Sequence, residues 1–224
     1  TTVPDPTPTP DETATPIETS HWDVHSVNGT KETSDNKNES ATNADIKALI
    51  TDDNAASFWN SAWVAGNELV TGVYFVAKLD GIYDITQVDY TPRWDDNAKW
   101  NCTGNVQKLI LEYSEDGNTW AKATPEEGID LTSLIASTDK SSFPAALKLE
   151  NAVAAQYIRI SGTESVWNQY MNGQKGITIG DLDIYGIYKS AAPEPTPEPT
   201  VDKTTLNKAI ADAEALTSSD YTEA

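Results

Sequence analysis

Between residues 73 and 188 the chain alternates apolar and polar positions in short runs, and glycine, aspartate or asparagine interrupts them. The runs are VYFVAKL at 73–79, ITQVDY at 85–90, VQKLILEY at 106–113, AALKLE at 145–150, QYIRISG at 156–162 and ITIGDLDIYGIY at 177–188. They are rich in β-branched and aromatic residues, and a period of two places one face of each run in an apolar interior and the other toward water. LDG at 79–81, EDGN at 115–118 and MNG at 171–173 supply turns. Many short strands of this kind close a core as an all-β fold, a β-sandwich or jelly roll, which carries its chemistry on loops at one end. Only NADIKALI at 43–50 reads as locally helical.

Composition marks where this unit ends. Residues 1–20 hold five prolines and seven threonines with no Lys or Arg, too little apolar surface to offset the entropy of ordering, so an extended Thr/Pro linker is expected there. SAAPEPTPEPT brings four more prolines and sets a second linker at 190–200. The sandwich is therefore expected over 21–189. In 201–224, Leu206, Ile210, Ala213 and Leu216 fall on one helical stripe, with Asp202 or Thr204 as N-cap. One amphipathic helix cannot bury its stripe alone, so this stretch is expected to begin a helical domain.

The formal charge of −20 opposes nucleic acid or anionic lipid as partner, because either would be repelled over most of the surface. A neutral ligand or a cation fits better. Cys102 is the single cysteine, which leaves no disulfide framework and no cysteine-based zinc site. No apolar run approaches the roughly 20 residues that cross a bilayer, so no membrane insertion is expected. The Thr/Pro spacers resemble those of secreted bacterial enzymes, and a secreted or cell-wall-attached location, Gram-positive in style, is expected.

Three groups of residues together resemble the discoidin-type, galactose-binding-like sandwich of coagulation factor (F5/8) type C domains and family 32 carbohydrate-binding modules. The first is Asp52-Asp53-Asn54-Ala55-Ala56-Ser57-Phe58-Trp59. The second is Tyr90-Thr91-Pro92-Arg93 followed by Ser114-Glu115-Asp116-Gly117-Asn118-Thr119-Trp120. The third is Gln156-Tyr157-Ile158-Arg159 followed by Gly180-Asp181-Leu182-Asp183-Ile184-Tyr185-Gly186. Asp53 stands where the family has glycine, Asp181 where it has glutamate, and Lys78-Leu79-Asp80 where it has Asp-Leu-Gly. The helix after the second linker is similar to the first helix of FIVAR modules of cell-wall-associated proteins.

The run ITDDNAASFWNSAW at 50–63 sets oxygen-bearing side chains directly before two tryptophans. Calcium takes six to eight oxygens from carboxylates, hydroxyls and carbonyls. Asp52 and Ser57, with the carbonyls near Leu49 and Asn54, could supply them, and the resemblance adds Asp181 from the last strand. A structural calcium is the expected cofactor. The alternative is a solvated turn in which Asp and Asn side chains bond their own backbone.

Seven tryptophans accompany only three phenylalanines. Trp22, Trp59 and Trp120 are expected in the core. Trp63, Trp94, Trp100, Trp167 and Tyr170 fall in polar loops, where exposed rings could stack on the C–H face of a sugar. The resemblance places further contacts at Asn60, Arg93 and Asn101 (or Thr103), with Trp167 as its loop aromatic. Asn60 replaces a histidine that family 32 often uses for the axial hydroxyl of galactose. Arg93 could instead pair with Asp95 or Asp96.

His21 and His25 lie four apart with no third metal ligand at a recognisable spacing, which favours a surface role. No nucleophile elbow, zinc-protease helix or phosphate loop occurs. Two carboxylates could always be found among 35 acids, so a glycosidase stays conceivable on composition. The expectation is a monomeric, non-catalytic, lectin-like module that holds a covalently linked glycoside hydrolase on glycans containing galactose or N-acetylhexosamine. A discoidin-like adhesion or protein-binding domain is the alternative.

Overall fold

The structure, a computed structural model, describes residues 14–27, 32–33, 42–61, 63, 73–94, 102–136, 142–166, 176–192 and 204–214. The chain divides into two units, Thr1–Pro193 and Glu194–Ala224. The first is built on antiparallel sheets. Its described strands are β1 (Thr15–Pro16), β2 (Trp22–Val27), β3 (Glu32–Thr33), β4 (Trp59–Asn60), β5 (Phe75–Thr91), β6 (Val106–Ser114), β7 (Ala121–Lys122), β8 (Ile129–Asp130), β9 (Ala145–Ser165), β10 (Thr178–Ile179) and β11 (Asp181–Ala191). Two short helices join them, α1 (Asn43–Leu49) and α2 (Thr132–Ile135). In the second unit, α3 (Thr204–Glu214) forms the expected amphipathic segment, with Thr204 as its first helical residue and Ile210 exposed.

The larger sheet runs β1-β11-β5-β9-β6-β7, with β2 on β5 and β8 on β6, and a smaller sheet runs β10-β4-β3. Strand β5 changes one neighbour along its length: residues 75–79 pair with β2, and residues 81–91 with β11. The runs at 73–79 and 85–90 are thus one bulged strand, as are 145–150 and 156–162 in β9. Register shifts between Lys78 and Tyr83 and between Ile85 and Gln87 let the β5–β9 ladder bend without breaking. Trp59 on β4 packs against Phe75 on β5, with centroids 5.8 Å apart, which seats the small sheet on the large one. Both are fully buried in one cluster with Ile85, Leu109, Leu111, Ile160 and Ile179.

Alternation accounts for these placements, and three details depart from it. Thr15 and Pro16 lie inside the expected linker yet pair with Gly186 and Tyr185, and the Ile17 amide donates to the Ile184 carbonyl at 2.7 Å. Proline is tolerated because β1 is an edge strand. His21 closes a 3₁₀ turn and His25 sits at a bulge in β2, so the two do not share a regular strand face. His25 instead packs edge-on against Tyr157. Trp120 is only partly buried and covers Arg159, whose guanidinium carbon is 4.2 Å from its ring centroid, whereas Trp22 and Trp59 are core residues as expected.

Helix α1 aims the oxygen-rich loop. Thr42 and Asp45 form a reciprocal capping box, the Asp45 amide donating to Thr42 Oγ1 and the Thr42 amide to Asp45 Oδ2. Ile46 and Ile50 bury completely, and Asn43 Nδ2 donates to the Val24 carbonyl at 2.9 Å. The helix is thereby anchored on β2, and residues 51–57 emerge at a fixed place.

Candidate functional site

One end of the sandwich gathers β4, the exit of β5, the 102–105 turn and β10. Their junction is a buried polar network. Asn105 is inaccessible to solvent; its Nδ2 donates to the Arg93 carbonyl at 2.9 Å, and its Oδ1 accepts from Thr178 Oγ1 at 2.8 Å. Tyr90, also inaccessible, donates to the Thr178 carbonyl at 2.9 Å and accepts from the Val106 amide at 3.1 Å. Thr178 is in turn the cross-strand partner of Asn60. These bonds fix the backbone around Asn60 and Arg93 to a rigid base.

Asn60 and Arg93 are therefore brought together, and both are largely buried, 3% and 9% exposed. The Arg93 guanidinium lies 3.9 Å from the Phe58 ring centroid, a cation–π arrangement that holds the fork in place. Asn60 Oδ1 is buried with no hydrogen-bond partner, an exception to the rule that buried acceptors are paired. Trp63 joins this group and is half-buried, its Cη2 lying 3.1 Å from where a Cβ on Gly104 would stand.

Trp94 turns into an adjoining cleft. Its amide donates to the Ala55 carbonyl at 2.7 Å, which links the residue to the oxygen-rich loop. Its half-buried ring packs against Phe143, with centroids 6.0 Å apart. Together with Asp53, Thr91, Asp181 and Asp183 these rings line a cleft of about 270 Å³. Trp100, Asn101, Trp167 and Tyr170 lie outside the described residues.

In the oxygen-rich loop the Asp52 carboxylate accepts from the Asn54 amide at 3.0 Å, and Asn54 Oδ1 accepts from the Ala56 amide. Asn54 Nδ2 donates to Ser57 Oγ at 3.1 Å, and the Ser57 amide to the Asn54 carbonyl. These are the Asx bonds of a turn that holds itself. Asp53 adopts φ 56°, the left-handed region where glycine is at ease and aspartate is tolerated, so glycine in the related pattern has a local cause. Leu49 ends α1, and the next carbonyl, that of Ile50, accepts from the Leu182 amide at 2.9 Å.

That bond delivers Asp181 to the loop. Its carboxylate accepts from the Leu182 amide at 2.9 Å and is 9% exposed. Burial first, and then the Asp183, Asp53 and Asp52 carboxylates, push it up to about 6. Burial and the carboxylates of Asp89 and Asp53 raise Asp183 as well. Among the described residues, no three His, Cys, Asp or Glu side chains are grouped so as to hold a metal. A calcium here would rest on two carboxylates, Asp52 and Asp181, with neutral oxygens such as Ser57 Oγ and the Asn54 carbonyl. Each of those oxygens keeps a lone pair beyond its loop bond, so the donor set fits a hard cation.

Tyr90 belongs to a quoted motif, whereas Asn105, Thr178 and Phe143 take part in this end with no role assigned to them from the sequence. The one local signal is Asn105 immediately before the strand beginning at Val106, and an asparagine there reads equally well as a turn residue.

Residues 28–176 match the F5/8 type C domain. Solved structures with the same fold include CBM32-3 from a family 31 glycoside hydrolase of Clostridium perfringens, 22% identical, with a TM-score of 0.51 over 76% of this chain and 94% of that one. A fragment of a Bacteroides thetaiotaomicron protein assigned as a chitobiase is 19% identical, with a TM-score of 0.54 over 81% of this chain and 98% of that one. The Clostridium perfringens enzyme CpGH89, in complex with GlcNAc-α-1,4-galactose, is 17% identical, with a TM-score of 0.50 over 91% of this chain and 18% of the enzyme.

Proposed function

The chain belongs to the F5/8 type C domain family, and on that premise we propose that its β-sandwich is a non-catalytic carbohydrate-binding module. The observation that carries this reading is the convergence of Asn60, Trp63 and Arg93 around the Asn105–Thr178 pair, beside the aromatic cleft of Trp94 and Phe143. A planar cationic fork beside indole surface supplies the directional bonds and stacking that fix a sugar. Burial of Asn60 and Arg93 pre-organises them, so little rotamer entropy is lost on binding. The ligand is a glycan containing galactose or N-acetylhexosamine, and Trp100, Asn101, Trp167 and Tyr170 complete the contacts.

A structural calcium held by Asp52, Asp181, Ser57 and the carbonyls near Leu49 and Asn54 braces the loop beside this end. In the full protein the module tethers a secreted or cell-surface glycoside hydrolase to its substrate, where even weak binding raises the local concentration of glycan. No helix among the described residues is long and apolar enough to cross a membrane.

A glycan array followed by calorimetric titration of the best binder tests the reading. Trp63→Ala and Trp94→Ala should each weaken binding about threefold to tenfold, the range of a lost stacking contact. An array that stays blank while a pull-down recovers a protein ligand would replace the lectin reading with an adhesion role. Titration curves unchanged in both variants would remove the site from this end.

A further inference from the structure

The far end of strand β11 carries a second set of groups arranged for a ligand. Tyr188 is seven residues beyond Asp181 along β11, about 23 Å at roughly 3.3 Å per residue, so it lies at the opposite pole from the cleft described above. It is 58% exposed, one of two large apolar side chains so placed among the described residues. The exposure is held in position. Tyr188 pairs across the ladder with Tyr83, whose ring meets it edge-on at 5.4 Å and 83°. Beneath it a Cβ at Gly81 would stand 2.7 Å from Cε2, so the ring rests on bare backbone.

Beside the ring the polar groups are also oriented. Asp80 accepts from Tyr83 Oη at 2.8 Å through Oδ1 and from His21 Nδ1 at 2.7 Å through Oδ2. A carboxylate only accepts, so Nδ1 carries a proton, and the half-exposed imidazole keeps Nε2 for a further hydrogen bond. These groups line, with Pro16 and Glu18, an open cleft of about 340 Å³. That volume is at the small end of ligand pockets and suits one sugar ring.

We propose that this cleft is a second saccharide site, in which Tyr188 stacks on the apolar face of a neutral hexose or N-acetylhexosamine while His21 Nε2 hydrogen-bonds one of its hydroxyls and Asp80 accepts from another. The carboxylates of Asp80 and Glu18 exclude uronic and sialic acids by repulsion. With ligand cleft and loop end at opposite poles, one module could engage two chains of a glycan mesh. The site stands on its own geometry and does not require the loop-end site.

The test is an amide-resolved NMR titration of the whole chain with galactose, N-acetylglucosamine and glucuronic acid. The neutral sugars should shift Gly81, Tyr83, Gly186 and Tyr188. Those shifts should persist in Arg93→Ala and weaken about fivefold to tenfold in Tyr188→Ala, with Tyr188→Phe within about twofold of the parent. His21→Ala should weaken the same set without altering shifts at the loop end. Silence of these amides with every sugar, shifts that survive Tyr188→Ala unchanged, or glucuronic acid binding as well as galactose would each overturn the proposal. Shifts here with none near Asn60 and Arg93 would uphold it while removing the loop-end site.

Discussion

The amide of Leu182 donates to the carbonyl of Ile50 at 2.9 Å, and this one bond joins the last strand to the first turn of the oxygen-rich loop. Because Asp181 precedes Leu182, its carboxylate feels the charges of Asp52 and Asp53, although well over a hundred residues separate them in the chain. The loop and the strand end therefore stand or fall together, and a cation between them would relieve charge that the fold itself has concentrated.

Calcium removal is the first test of that relationship. At pH 7.5 a saturating chelator should lower the melting temperature by roughly 5–10 °C, the shift that about 2–3 kcal/mol of ligand linkage produces in a domain this size. In the chelated protein the Asp181 carboxyl, raised to about 6, stabilises the fold while protonated; that contribution is complete below about pH 4 and is lost as pH rises through 6. The chelated protein should accordingly gain stability from Asp181 on going from pH 7.5 to 5. Asp181→Asn should flatten that trend, be more stable than the chelated parent at pH 7.5 by on the order of 1–2 kcal/mol, and no longer respond to calcium. Identical melting curves with calcium and with chelator would eliminate the metal.

Gly180→Ala probes the joint between the loop-end contacts and the metal loop. A Cβ at this position would stand 2.7 Å from the Pro92 carbonyl oxygen, a backbone atom, and the Gly180 amide already donates to Thr91 at 2.8 Å. The exit of β5 and the start of β11 must separate, at a cost of about 1–3 kcal/mol. Arg93 and Asp181 lie on either side of that joint, so sugar affinity and the calcium-dependent shift should both fall. Loss of only one of them in calorimetry would show the sugar contacts and the metal loop to be independent.

Asn105→Ala removes the hinge pin of the polar network. The Arg93 carbonyl and Thr178 hydroxyl lose their buried partners, which costs about 2–3 kcal/mol and lowers the melting temperature by roughly 5–10 °C. Asn105→Asp retains an acceptor for Thr178 and loses the donor to Arg93, so it should weaken sugar binding more than its effect on melting implies. Equal proportional losses in the two variants would argue that Asn105 is structural alone.

Trp120→Ala serves as the contrasting case. The ring covers Arg159, which also pairs with Glu112 at 2.6 Å, and its removal should cost about 1–2 kcal/mol of stability through lost cation–π and packing contact. Glycan binding should remain within about twofold of the parent. A large loss of affinity in this variant would move the ligand from the loop end to the sheet face.

Much of the fold could be read directly from residue order because its signals are local. Alternation places Phe75, Ile85, Leu109 and Ile160 inside, and Thr42 with Asp45 starts α1 by bonds that span three residues. The candidate site was legible in part. Asp52, Arg93 and Trp94 belong to recognisable strings, yet residue type alone does not say that Arg93 is laid flat on Phe58 or that Trp94 faces Phe143. Trp59 and Trp120 illustrate the limit: both follow similar polar turns, one is sealed against Phe75 and the other lies half-open over Arg159. The difference arises from which strands run beneath them.

From its residues alone this protein is committed to an antiparallel β-core with an oxygen-rich loop and indole-bearing ends, since alternation, turn residues and helix caps act over a few positions. The pairing of Asp181 with the 50–57 loop, the anchoring of Arg93 by Asn105, and the seating of Tyr188 on Gly81 came from the folded chain. Each joins residues distant in sequence through a register or a close approach, and such meetings depend on how bulges bend the long strands β5 and β9, for which no short string of residues carries a signal.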